Sequence, residues 1–149
     1  MHVLLPDFDN YKLIAIQSQL EDYRLAYSIN EAIDAKLKRQ EEPIYIKNLE
    51  TSFSVFEDAN EHAFFRYHLI QNSFFQEIEY EQEVLFKEYF KKKCFLINEE
   101  ENIDFILRIE DACKNQVDII IEKLKNIEEI NHLREMEVKD LKSESHLFF

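Results

Sequence analysis

The chain contains no glycine among its 149 residues, whereas average usage of about 7% would supply roughly ten. Glycine-rich phosphate loops, dinucleotide-binding turns and the serine elbow of hydrolases all require glycine, because the backbone there turns sharply or approaches a ligand closely. These enzyme classes are therefore not expected. Any position with a positive φ must use the next most tolerant residue types, asparagine and aspartate.

Composition and charge limit the partners of the chain. Hydrophobic residues make up 46% and charged residues 33% of the sequence, which is typical of a folded domain. We expect residues 1–149 to form a single domain. The formal net charge of −13 disfavours binding to nucleic acids and to anionic membrane surfaces, since both require a basic face.

Targeting and cysteine usage indicate the compartment. Residues 1–9 lack the pattern of a signal peptide, and no apolar run reaches the roughly 18 residues that a membrane span needs. Cys94 and Cys113 have no metal-ligand spacing. We therefore expect free thiols in a reducing cytoplasm and no cofactor.

Two helices are predicted from patterns of apolar residues and capping residues. The first begins at a capping box formed by Ser18 and Glu21 and runs to about Lys38. The second begins at Asp111, and its predicted core-facing residues are Cys113, Val117, Ile120, Ile121 and Leu124. Asn126 is the candidate for a left-handed residue at the end of this second helix.

The remaining apolar segments predict an α+β fold. Strands are expected at residues 11–17, 44–47, 52–56, 64–71, 103–109 and 129–138. We expect a twisted antiparallel sheet of about six strands with two helices packed on one face, the other face being available for a partner or an insert. Residues 73–93 fit a helix or irregular structure, with a long twisted hairpin as the alternative.

Residues 97–105, with the sequence INEEENIDF, resemble the nine-residue signature of the IPExxxVDY family of small bacterial proteins. The identical or conservatively replaced positions are Ile97, Glu99, Ile103, Asp104 and Phe105. Asn98 replaces the signature proline. Residues 20–25, 52–54, 67–70 and 141–143 look like further blocks of the family. The resemblance implies no established reaction, ligand or cofactor.

The acidic residues next to this signature are candidate metal ligands. Glu99, Glu100, Glu101 and Asp104 offer carboxylates suited to Mg²⁺ or Ca²⁺, but the spacing of a calcium-binding loop is missing. The alternative is a solvated acidic turn in which Asp104 caps or pairs near the start of a strand. Asp7 and Asp9 form a second acidic pair with the same two interpretations.

Aromatic and arginine side chains supply candidate contacts with other proteins. The residues concerned are Tyr23, Arg24, Tyr27, Leu147, Phe148 and Phe149. Tyrosine and arginine are enriched at interface hot spots, and an apolar terminus docks on its own domain or on a second copy. The hypothesis that follows is a non-enzymatic interaction protein forming a homodimer or binding another protein. The alternatives are a divalent-metal domain or metal-assisted enzyme, and a small-ligand sensor.

Overall fold

The computed structural model describes residues 11–46, 51–59, 66–81, 87–96 and 102–136. The elements in chain order are β1 Tyr11–Ser18, α1 Asp22–Ile33, β2 Leu37–Arg39, β3 Ile44–Ile46, β4 Thr51–Phe53, β5 Val55–Asp58, β6 Arg66–Gln71, β7 Ser73–Glu81, β8 Lys87–Phe95, β9 Phe105–Glu110, α2 Lys114–Leu124 and β10 Ile130–Met136.

Six of the strands form one sheet in the order β10-β1-β9-β6-β5-β2, and every neighbouring pair for which the register is described is antiparallel. The pairs β3-β4 and β7-β8 form two separate ribbons. The predicted α+β class and the antiparallel sheet of about six strands are therefore confirmed. β1 and β9, which are far apart in sequence, are neighbouring interior strands of the sheet.

Both helices pack against one face of this sheet and form the first hydrophobic core. α1 contributes the fully buried Leu25 and Ile29, and α2 contributes Val117 and Leu124. Leu107 of β9 belongs to the same cluster. The predicted placement of the two helices on one face is confirmed.

The opposite face of the sheet is also buried and forms a second core. Leu13, Ile70 and Ile106 are fully buried there together with Phe53 of β4 and with Leu96. The sequence left two uses open for this face, covering by a partner or by an insert. In the described residues an insert of the same chain, which includes Phe53 of β4 and Leu96, covers it.

Ser54 divides the strand predicted at residues 52–56 into β4 and β5. The Ser54 hydroxyl lies 3.1 Å from the side-chain oxygen of Gln71, and the same oxygen accepts a hydrogen bond from the Ser54 backbone N–H. β4 joins the ribbon with β3, whereas β5 joins the main sheet. The prediction of a single strand was therefore wrong. The apolar alternation continues through Ser54, so the sequence pattern does not show the break.

The preference for a helix or irregular structure over residues 73–93 was also wrong. β7 and β8 form an antiparallel hairpin whose register pairs Ser73 with Phe95 and Glu81 with Lys87. The spacing of apolar residues along one segment gives no information about its pairing with a second strand.

The first helix differs from its prediction at both ends. Glu21 is its N-cap, with no side-chain capping bond, and Ser18 is the last residue of β1, so the predicted capping box is absent. The helix ends at Ile33 and not near Lys38, because Asp34 takes a left-handed conformation at φ 55°. The chain then turns back into β2.

The second helix begins at a different residue from the one predicted. Cys113 is its N-cap and is exposed, with Gln116 completing the capping box, so Cys113 does not face the core. Asp111 precedes the helix at φ 61°. Among the described residues only Asp34 and Asp111 have positive φ, which contradicts that role for Asn126 and confirms the expected use of aspartate.

Candidate functional site

Asp104, a residue of the family-like signature, joins three parts of the fold. Its backbone N–H donates to the Ile16 carbonyl at 3.0 Å, and its own carbonyl accepts from the Asn72 N–H at 2.8 Å. Its carboxylate accepts the Ser18 N–H at 3.0 Å and the Ser73 hydroxyl at 3.1 Å. Asp104 thus ties the end of β1 and the β6-β7 junction to the start of β9.

The described neighbours of Asp104 in the signature are core residues. Ile103 is buried in the second core and Phe105 in the first. The described half of the signature therefore connects the two cores across the sheet. Ile97 and Glu99 lie outside the described residues.

Asn72 supports the same junction from inside. Asn72 is fully buried, and its side-chain amide donates to the Ile103 carbonyl at 2.8 Å. Its backbone carbonyl accepts the Leu96 N–H at 2.8 Å. A buried amide with such partners holds the chain where it leaves the main sheet for the hairpin.

A groove of about 650 Å³ opens beside Asp104. Its lining residues are Gln17, Ser18, Gln19, Leu20, Glu21, Asp22, Gln71, Ser73, Asp104, Phe105 and Asn131. The lining combines carboxamides with three carboxylates and includes no lysine or arginine. Such a surface suits a polar ligand that is neutral or positively charged.

A second polar cluster lies on the insert-covered face of the sheet. His68 of β6 and Arg108 of β9 are neighbours in register, and both are buried. The Glu110 carboxylate lies 3.3 Å from the Arg108 guanidinium and 3.8 Å from His68 Nδ1. Glu57 lies 3.6 Å from His68 Nε2 and also 3.6 Å from the guanidinium of Arg66.

Burial sets the electrostatics of this cluster. It lowers the pKa of His68, and the nearby Arg108 lowers it further, against the opposing effect of Glu110 and Glu57. Burial likewise lowers the pKa of Arg108. Sequence reasoning missed the cluster, because its members come from three strands. The available signal was a charged residue inside otherwise apolar β9.

The outward side of α1 carries the predicted contact residues Tyr23, Arg24 and Tyr27. Tyr23 is 54% and Tyr27 64% exposed. The Arg24 guanidinium lies 5.9 Å from the centre of the Tyr23 ring. The pKa of Tyr27 is raised, mainly by its hydrogen bond with the Glu31 carboxylate.

Several predicted candidates lie outside the described residues. They are Asp7, Asp9, Glu99, Glu100, Glu101, Leu147, Phe148 and Phe149. Within the described part of the chain, no group of three or more His, Cys, Asp or Glu side chains is placed to hold a metal ion. Asp104, the one described member of the acidic turn, directs both carboxylate oxygens to protein donors.

Neither helix in the described ranges has the length and apolar character needed to cross a membrane. Comparison of the chain with protein-family models, with curated proteins and with solved structures found no significant match.

Proposed function

We propose that this chain is a non-enzymatic protein-interaction module that forms a homodimer through the outward side of α1. The observation that carries the proposal is the pair of exposed rings, Tyr23 and Tyr27, beside Arg24. Tyrosine and arginine anchor protein interfaces because they combine apolar area with polar groups. Most soluble oligomers are symmetric, and the two-fold dimer is the commonest form.

The same proposal places the protein in the bacterial cytoplasm and in the IPExxxVDY family. An exposed cysteine at position 113 that forms no disulfide suits a reducing compartment. Support for the family comes from the signature-like residues Ile97, Glu99, Ile103, Asp104 and Phe105 in the sequence.

Sedimentation and native mass spectrometry of the untagged chain test the homodimer. We expect a dimer whose dissociation constant rises in Tyr23→Ala and Tyr27→Ala. Tyr45→Ala is the matched control, because Tyr45 is 61% exposed but lies on β3. A monomer at the highest soluble concentration would contradict the proposal, as would equal weakening by all three substitutions.

The groove beside Asp104 supports a second candidate function, the binding of a small polar ligand. Asp104 is bonded to Ser18 and Ser73 and Asp22 pairs with Arg39, so the Glu21 carboxylate and the carboxamides are the groups that favour a cation that also donates hydrogen bonds. We expect 1,4-diaminobutane, but not butane-1,4-diol of similar length, to raise the melting temperature. Glu21→Gln should reduce the shift, whereas Glu128→Gln, away from the groove lining, should preserve it. Equal responses to both compounds, or to neither, would count against this function.

A further inference from the structure

A stripe along α1 carries opposite charges at its two ends. Arg24, Tyr27 and Glu31 are spaced i, i+3 and i+7, which aligns them on one side of a helix. The buried residues Leu25 and Ile29 lie on the opposite side, against the core. The stripe therefore points away from the rest of the fold.

This arrangement is complementary to itself. Arg24 and Glu31 are about 10 Å apart along the helix axis at a rise of 1.5 Å per residue. Consider a two-fold axis that is perpendicular to the helix and lies at the level between Tyr27 and Ser28. Rotation about this axis places position 31 of one copy opposite position 24 of the other. A second copy placed by that rotation brings a carboxylate opposite each guanidinium.

We propose that α1 packs antiparallel against the same helix of a second copy, with Arg24 of one protomer pairing with Glu31 of the partner subunit. Each pair then occurs twice, and the two Tyr27 rings meet at the two-fold axis. The inference rests on the proposed homodimer and specifies its surface and register. It also assigns Arg24 and Glu31 as the residues that select an antiparallel pairing.

The opposite charges of Arg24 and Glu31 on one stripe favour a second copy as the occupant. The net charge of −13 makes two copies repel each other, so a contact needs locally opposed charges. Arg24 is already held near the Tyr23 ring at 5.9 Å. This contact reduces the side-chain freedom that Arg24 loses on association.

A charge-swap series tests the register. Arg24→Glu places four carboxylates around the axis, and we expect the dimer dissociation constant to rise by about tenfold or more. Glu31→Arg should have a similar effect. The double variant Arg24→Glu/Glu31→Arg restores opposite charges and should return to within about threefold of the wild type. Lys38→Glu, on the exposed part of β2, controls for the change in net charge.

A cross-linking experiment gives an independent readout if a charge variant fails to fold. In a Cys94→Ser/Cys113→Ser background, Tyr27→Cys should form a disulfide-linked dimer on mild oxidation, whereas Tyr45→Cys should not. A dimer that tolerates both single charge swaps and does not cross-link at position 27 would overturn the register but preserve the homodimer. A wild-type chain that stays monomeric would remove both proposals.

Discussion

At the scale of single residues, Asp104 is a connecting residue whose carboxylate is fully used by the protein. One oxygen accepts the Ser18 N–H and the other the Ser73 hydroxyl. An asparagine at this position keeps the size of the side chain but turns one acceptor into a donor. The asparagine oxygen can still accept the Ser18 N–H and its amide can donate to the Ser73 hydroxyl, but the negative charge that strengthens both bonds is lost.

Asp104→Asn should therefore lower the free energy of unfolding by about 1–3 kcal/mol. The measurement is urea denaturation with and without Mg²⁺. Asp118→Asn is the matched control, because its side chain is exposed on α2, and it should change the value by at most about 0.5 kcal/mol. A loss confined to the samples with Mg²⁺ would instead support the metal hypothesis.

His68 should make stability depend on pH. Its pKa is lowered below 6.5 in the folded state by burial and by Arg108, so the unfolded chain binds the proton more readily. Stability is then fully present above pH 6.5 and falls as the pH drops through 6.5 towards the folded-state pKa.

His68→Gln should flatten this dependence when denaturation midpoints are compared from about pH 7.5 to about pH 5.5. His132→Gln is the control, because His132 is exposed on β10, and it should leave the slope unchanged. A slope that is the same in all three proteins would show that His68 does not set it.

At the scale of elements, the absence of glycine means that a residue with a Cβ takes the unfavourable left-handed conformation at the end of α1. Asp34 holds a left-handed conformation at φ 55°, where a Cβ is unfavourable. The turn is nevertheless required, because it reverses the chain into β2.

Asp34→Gly should raise the free energy of unfolding by up to about 1 kcal/mol, since glycine accepts positive φ without a steric penalty. Ser28→Gly inside α1 should lower it by a similar amount, because glycine disfavours a helix interior. Thermal and urea denaturation measure both changes. Destabilisation by both substitutions would show that the side chain of Asp34 outweighs its backbone strain.

At the scale of the whole molecule, the sheet is buried on both faces. The helices cover one face, and residues such as Phe53 and Leu96 are fully buried on the other. Among the described residues, the large hydrophobic side chains that remain exposed are Tyr23, Tyr27 and Ile119 on the helices and Tyr45 on β3.

Phe53→Ala should lower the free energy of unfolding by about 3–5 kcal/mol if the second core is as closely packed as the first. Tyr45→Ala, on β3 in the same ribbon, should cost at most about 0.5 kcal/mol, because its ring is exposed. Chemical denaturation gives both values. A small effect of Phe53→Ala would mean that the ribbon adds little to stability.

The sequence by itself determined the features that depend on local patterns. Alternating or continuous apolar residues predicted β1, β6, β9 and β10, and helical spacing predicted both helices. The absence of glycine predicted that aspartate or asparagine would take positive φ, and Asp34 and Asp111 do so. Each of these preferences arises within one element and needs no distant partner.

Only the tertiary structure decided which distant residues meet. The β7-β8 hairpin, the break at Ser54 and the junction at Asp104 all depend on hydrogen bonds to other strands. His68 and Arg108 are 40 positions apart in the sequence and become neighbours because β6 pairs with β9. The tertiary structure also exposes the aromatic and charged stripe on α1, because strand pairing and core packing decide which side of the helix is buried.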